Sequence, residues 1–134
     1  MAIELEMILR LLLATALGAA IGYQRERAGK VAGLRTHTLI CVGAALFTIA
    51  SLYGFGAATD PARVAAGVVV GIGFLGGGVI IRRAEEGIVA GLTTAATIWA
   101  VAGIGLVAGS GLYLVSAVTT AIILIILFLP HPIR

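Results

Sequence analysis

Apolar positions in this 134-residue chain come in long runs rather than in stripes. Crossing a hydrocarbon layer about 30 Å thick takes roughly 20 helical residues at about 1.5 Å each. Five stretches of that order hold no charged residue or only one: residues 7–23, 38–58, 64–81, 88–109 and 112–129. They lack the alternation of a membrane barrel, and backbone inside lipid must satisfy its own hydrogen bonds, so helices are predicted. The expected fold is all-α, a single polytopic transmembrane bundle over residues 1–134 with five spans. Gly109-Ser110-Gly111 is a tight reversal; if helix continued through it, the count would fall to four.

Composition agrees with an oily environment. Hydrophobic residues make up 60% of the chain, charged residues 11%, and mean hydropathy is +1.15, whereas soluble domains carry about a quarter charged residues. A formal charge of +3 suits anionic lipid better than nucleic acid, because the bases form no continuous face. The lone Cys41 excludes a disulfide framework. Ala14-Thr15-Ala16 resembles a leader-cleavage site, but the chain opens on Glu4 and Glu6 instead of positive charge, so the stretch reads as a span.

The bases also give a direction. Residues 24–37 hold Arg25, Arg27, Lys30 and Arg35, the link after the third span holds Arg82 and Arg83, and the tail holds Arg134. With five spans these share one side, against Arg10 and Arg63 on the other, which places the N-terminus outside and the C-terminus in the cytoplasm.

Helices in lipid associate through small residues four apart. Gly18/Gly22, Gly67/Gly71, Gly73/Gly77 and Gly87/Gly91 have that spacing. The third span, with Gly67, Gly71, Gly73, Gly76, Gly77 and Gly78, is therefore expected at the centre of the bundle, either as a crossing point or as a helix interrupted at Gly76-Gly77-Gly78 to bind an ion. The last span is bulky on every face, which suits a peripheral helix before Pro130 and Pro132.

Candidate chemistry is sparse. Residues 24–37 read as a basic loop against headgroups, or as a site in which Arg35, Thr36 and His37 hold an anionic group. His37 and Cys41 share a helix face but fall short of a zinc ligand set, and read as an interfacial histidine and a buried thiol. Asp60-Pro61 has the form of a helix N-cap; Asp60 alone is thin support for magnesium. Glu85 and Glu86 would neutralise Arg82 and Arg83. Arg10 would snorkel or pair with Glu6 one turn earlier. No acid falls inside a span, which removes the usual groups of a cation pump. Thr93, Thr94 and Thr97 bring hydroxyls into the fourth span, as helix contacts or as a polar path. Gly71-Ile72-Gly73-Phe74-Leu75-Gly76 matches a dinucleotide fingerprint only by letter, since no strand precedes it. No nucleophile stands with a base, so no enzyme is expected, and no cofactor beyond a possible role for magnesium.

Residues 32–47 (AGLRTHTLICVGAALF), 71–80 (GIGFLGGGVI) and 91–100 (GLTTAATIWA), with Asp60-Pro61-Ala62-Arg63 between the first two, resemble the MgtC/SapB family of bacterial inner-membrane proteins. The resemblance implies a multi-helix plasma-membrane domain tied to magnesium limitation and virulence. In the best-known members it implies a regulator that inhibits the rotary ATP synthase; the alternative is a magnesium or other cation transporter. The motif positions it marks are Arg35, Thr36, His37, Cys41, Asp60, Arg63, Gly73, Gly76, Thr93 and Thr94. Gln24, Gly67 and Ala90 depart from the pattern. Many relatives continue into a soluble domain after the membrane portion, so this is expected to be a short member or part of a longer chain. Membrane lipid, a membrane-protein partner and a second copy of the chain are the expected partners.

Overall fold

The computed structural model describes residues 2–84 and 91–129, with side chains at 81–84 outside the description. Five helices follow one another: α1 (Ala2–Arg27), α2 (Leu34–Tyr53), α3 (Ala62–Ala84), α4 (Leu92–Gly109) and α5 (Tyr113–Leu127). The first four are long and apolar enough to cross a membrane. The fifth is not: its 15 residues rise about 22 Å, short of the hydrocarbon thickness. The chain is thus an all-helical membrane protein, and its fifth helix is shorter than the span expected at residues 112–129.

The first helix overruns its predicted span at both ends. Glu4 in its first turn and Arg25 and Arg27 in its last each sit where the helix dipole favours them, so charge marks the edge of the apolar run without ending the helix. Termination comes at Gly29, whose φ of 72° is a left-handed conformation that other residues resist. There the Gly29 N–H donates to Glu26 O and the Lys30 N–H to Arg25 O, the paired bonds of a Schellman turn. Gly111 (φ 88°) ends α4 in the same way, with Gly111 N–H on Ala108 O and Leu112 N–H on Val107 O. The tight reversal after α4 is therefore real. At the start of α3 the Asp60 carboxylate accepts the Ala62 N–H at 3.0 Å, the expected cap.

Helices α1, α2 and α4 make the core. Ala14 and Ile21 from α1, Cys41 and Ala45 from α2, and Val101, Ile104 and Ala108 from α4 form its buried cluster. Glycine lets the backbones meet. A methyl on Gly22 would stand 2.8 Å from Leu34 Cα, and one on Gly109 would stand 2.7 Å from Ala45 O. Gly18 meets Cys41 on the same α1–α2 seam, and Gly105 meets the Cys41 carbonyl on the α2–α4 seam. The Gly105/Gly109 pair has the same four-residue spacing as the glycines singled out in the sequence, and does work that was expected of the third helix.

That helix is not central. A methyl on Gly67, Gly71, Gly73 or Gly77 would meet nothing within 4 Å; of the glycines marked for packing on α3, only Gly76 has a neighbour, Ala95 Cβ at 3.5 Å. The helix rests on α4 through Ile72, Ile98 and Ala102 and leaves its glycine face open. It also runs unbroken from Ala62 to Ala84, so the interruption considered at Gly76-Gly77-Gly78 does not occur. Bundle position is set by which partner surface fits, and glycine spacing alone does not name the partner. On α5, Ser116 and Thr120 turn inward while most of its large apolar residues stay exposed, as expected of a peripheral helix. Gly87, the Glu85 and Glu86 pairing with Arg82 and Arg83, Pro130, His131, Pro132 and Arg134 lie outside the described residues.

Candidate functional site

Two arginines of α1 reach into the core, one near each end. Arg10, expected to snorkel or to pair with Glu6, does the second and is 5% exposed; its Nη2 pairs with Glu6, its Nη1 donates to Gly109 O at 3.0 Å, and its guanidinium lies over the Tyr53 ring, 5.3 Å from the centroid. Arg25, which the sequence put in a basic loop, is 3% exposed, and its Nη2 donates to Thr94 Oγ1 at 3.0 Å. Fifteen residues separate the two arginines on α1, and fifteen separate Thr94 from Gly109 on α4. The helices are therefore antiparallel and clasped at points about 22 Å apart.

The Arg25 end carries the unusual chemistry. His37, on the first turns of α2, is fully buried instead of interfacial, because Gly18 and Gly22 bring α1 onto the backbone around it. Its Nδ1 lies 2.9 Å from Gly33 O; a carbonyl can only accept, so Nδ1 carries a proton, and in the neutral ring Nε2 bears a lone pair. Among the described residues that Nε2 has no hydrogen-bond partner, nor do Arg25 Nε and the buried Gln24 Oε1. Unpartnered buried polar atoms are costly and uncommon. Around them the frame is well held: Glu26 Oε1 accepts the Leu34 N–H at 2.9 Å, which ties the end of α1 to the start of α2.

The residues marked in the sequence do not form one site. Thr94 and His37 are buried at this end, whereas Arg35, Thr36 and Thr93 stand exposed beside it. Arg35 lines a shallow recess with Ala19, Thr38 and Leu39. Asp60 and Arg63 are exposed at the opposite end, where Ser51 Oγ donates to Pro61 O at 3.0 Å. Thr97 is buried and donates to Thr93 O at 2.6 Å, a bond within its own helix. Among the described residues no three of His, Cys, Asp and Glu gather as metal ligands, and Asp60 is occupied as a cap. Arg25 was missed as an interior group. The signal was present: Arg10, Ala14, Gly18, Ile21, Gly22 and Arg25 are the buried residues of α1, a stripe at helical period that ends on Arg25.

The sequence profile described as the MgtC family matches residues 11–134. YhiD of Escherichia coli K12 is 47% identical over 133 residues, covering 94% of this chain and 61% of YhiD. MgtC of Salmonella typhimurium LT2 is 48% identical over 117 residues, covering 87% of this chain and 49% of that protein. SrpB of Synechococcus elongatus is 43% identical over 122 residues, covering 83% of this chain and 67% of SrpB. The chain thus spans between about half and two thirds of these relatives. No solved structure matches it significantly.

Proposed function

The chain belongs to the MgtC family, and from that premise we propose that it serves magnesium and ion homeostasis as a regulator, working through helix contacts with another membrane protein. The observation that carries this reading is the open face of α3. Gly67, Gly71, Gly73 and Gly77 face nothing within 4 Å, and backbone without side chains is the surface a second transmembrane helix approaches most closely. On this reading the protein lies in the bacterial inner membrane with its N-terminus outside, supports adaptation to low magnesium and virulence in pathogens, and takes the rotary ATP synthase or a second copy of itself as partner.

YhiD is described provisionally as a magnesium transporter, which is the competing reading here. Two observations weigh against it. The path envisaged beside a broken third helix loses its basis in a continuous α3, and the buried hydroxyls of Thr94 and Thr97 are engaged with Arg25 and Thr93 O. The test uses purified protein in liposomes loaded with a magnesium-sensitive dye, alongside affinity purification from membranes. Regulation predicts no flux above empty liposomes and a membrane complex that Gly71→Leu releases. Magnesium flux abolished by Thr94→Val would replace this reading with transport.

A further inference from the structure

Helix α4 starts without a side-chain cap. Its N-cap is Gly91, which offers no side-chain acceptor, and the Ala95 N–H is the first to find a carbonyl, Gly91 O at 2.9 Å. The N–H groups of Leu92, Thr93 and Thr94 therefore have no acceptor within the helix, and the helix end carries about half a positive charge. An acid is the residue that such a position favours. This chain places Arg25 there.

The guanidinium is 3% exposed, donates to Thr94 Oγ1 at 3.0 Å and leaves Nε without a partner. Among the described residues the Arg10–Glu6 pair is at the other end of α1, and Glu26 is engaged with the Leu34 N–H. Among the described residues, a buried cation thus faces the positive end of a helix with no anion between them. Both features call for the same missing charge. Because Thr94 Oγ1 accepts from Arg25, its own proton is free to donate elsewhere. A guanidinium, a hydroxyl and the N–H groups of a helix start offer more donors than the two oxygens of a carboxylate engage, and suit the oxygens of a tetrahedral oxyanion better. Leu92 and Thr93 are exposed, so the approach is from the membrane surface.

We propose that the junction between the end of α1 and the start of α4 binds a phosphate-type oxyanion, held by Arg25, the Thr94 hydroxyl and the free N–H groups of Leu92–Thr94. Such a group comes either from an anionic phospholipid or from free phosphate. The site does not depend on whether the protein regulates or transports.

The experiment follows the backbone amide resonances of Leu92, Thr93 and Thr94 in the whole chain, purified in a phosphorus-free maltoside detergent. One arm adds inorganic phosphate and the other adds phosphatidylglycerol. Saturable shifts of these amides are expected in at least one arm, and the arm that responds identifies the source. Arg25→Gln should weaken the response by about tenfold or more, while Lys30→Gln on the exposed turn leaves it intact. Thr94→Val, which keeps the charge, should weaken it less than Arg25→Gln. No shift in either arm with the unaltered protein overturns the site, whatever the variants do. So does an equal loss in Arg25→Gln and Lys30→Gln, which would mark diffuse surface charge.

Discussion

Cys41 stands directly over Gly18: a methyl on that glycine would come within 2.7 Å of Cys41 Cβ. The thiol is fully buried, closed in by α1 on one side and by Gly105 of α4 on the other. The folded protein in mild detergent should therefore resist a maleimide reagent at Cys41, and react fully once denatured in dodecyl sulfate. Mass spectrometry counts the adduct. Rapid modification of the native protein would mean that the α1–α2–α4 seam is not closed.

The same seam separates two groups of glycines. Gly18→Ala must push α1 and α2 apart and is expected to cost about 1–3 kcal/mol, the usual cost of overpacking. Gly73→Ala has open space around it and should leave stability unchanged or raise it by up to about 1 kcal/mol through better helix propensity. Thermal unfolding in detergent compares them. Equal losses would return α3 to the centre of the bundle.

Gly29 and Gly111 both hold left-handed conformations at the ends of helices, but they differ in their surroundings. Nothing lies near a methyl on Gly29, while one on Gly111 would meet Arg10 Nη2 at 2.8 Å. Gly29→Ala should cost about 1 kcal/mol from backbone strain alone. Gly111→Ala should cost more, because it also displaces the guanidinium. Melting curves that rank them the other way would contradict the turn geometry.

Glu26 joins two helices through one hydrogen bond to the Leu34 N–H. Glu26→Gln keeps an acceptor and should be nearly neutral, whereas Glu26→Ala strips the cap and should cost about 1 kcal/mol. Hydrogen exchange at the Leu34 amide gives the local readout: protection should survive in the glutamine variant and fall in the alanine variant.

Lys30 is exposed in the turn after α1. In the orientation proposed above, a cysteine introduced by Lys30→Cys should be inaccessible to a membrane-impermeant thiol reagent in intact cells and react once the membrane is opened. Labelling of intact cells would reverse the orientation.

The sequence shows the helices more clearly than it shows their arrangement. Apolar runs of bilayer length reveal where the chain crosses, because lipid imposes that length directly. Run ends are poorer guides: α1 continues through Gln24, Arg25 and Arg27, since a base in a last turn is favourable for the helix. Glycine spacing found Gly18 and Gly22 but placed α3 wrongly, because an absent side chain permits contact without choosing a neighbour. At the candidate site, Thr94 and His37 were visible as unusual residues. Arg25 was hidden by the exposed charges Glu26 and Arg27 that follow it in the chain, and only its phase with Gly18 and Ile21 sets it apart from Arg27.

The two arginine clasps leave α1 and α4 little freedom to telescope. Sliding either helix by a single residue would strain the Arg10–Gly109 and Arg25–Thr94 bonds together, and would leave the buried Arg25 guanidinium without its hydroxyl. The pair can tip in the bilayer like a plank bolted at both ends. Any larger stroke falls to α3, whose outer flank is bolted to nothing among the described residues.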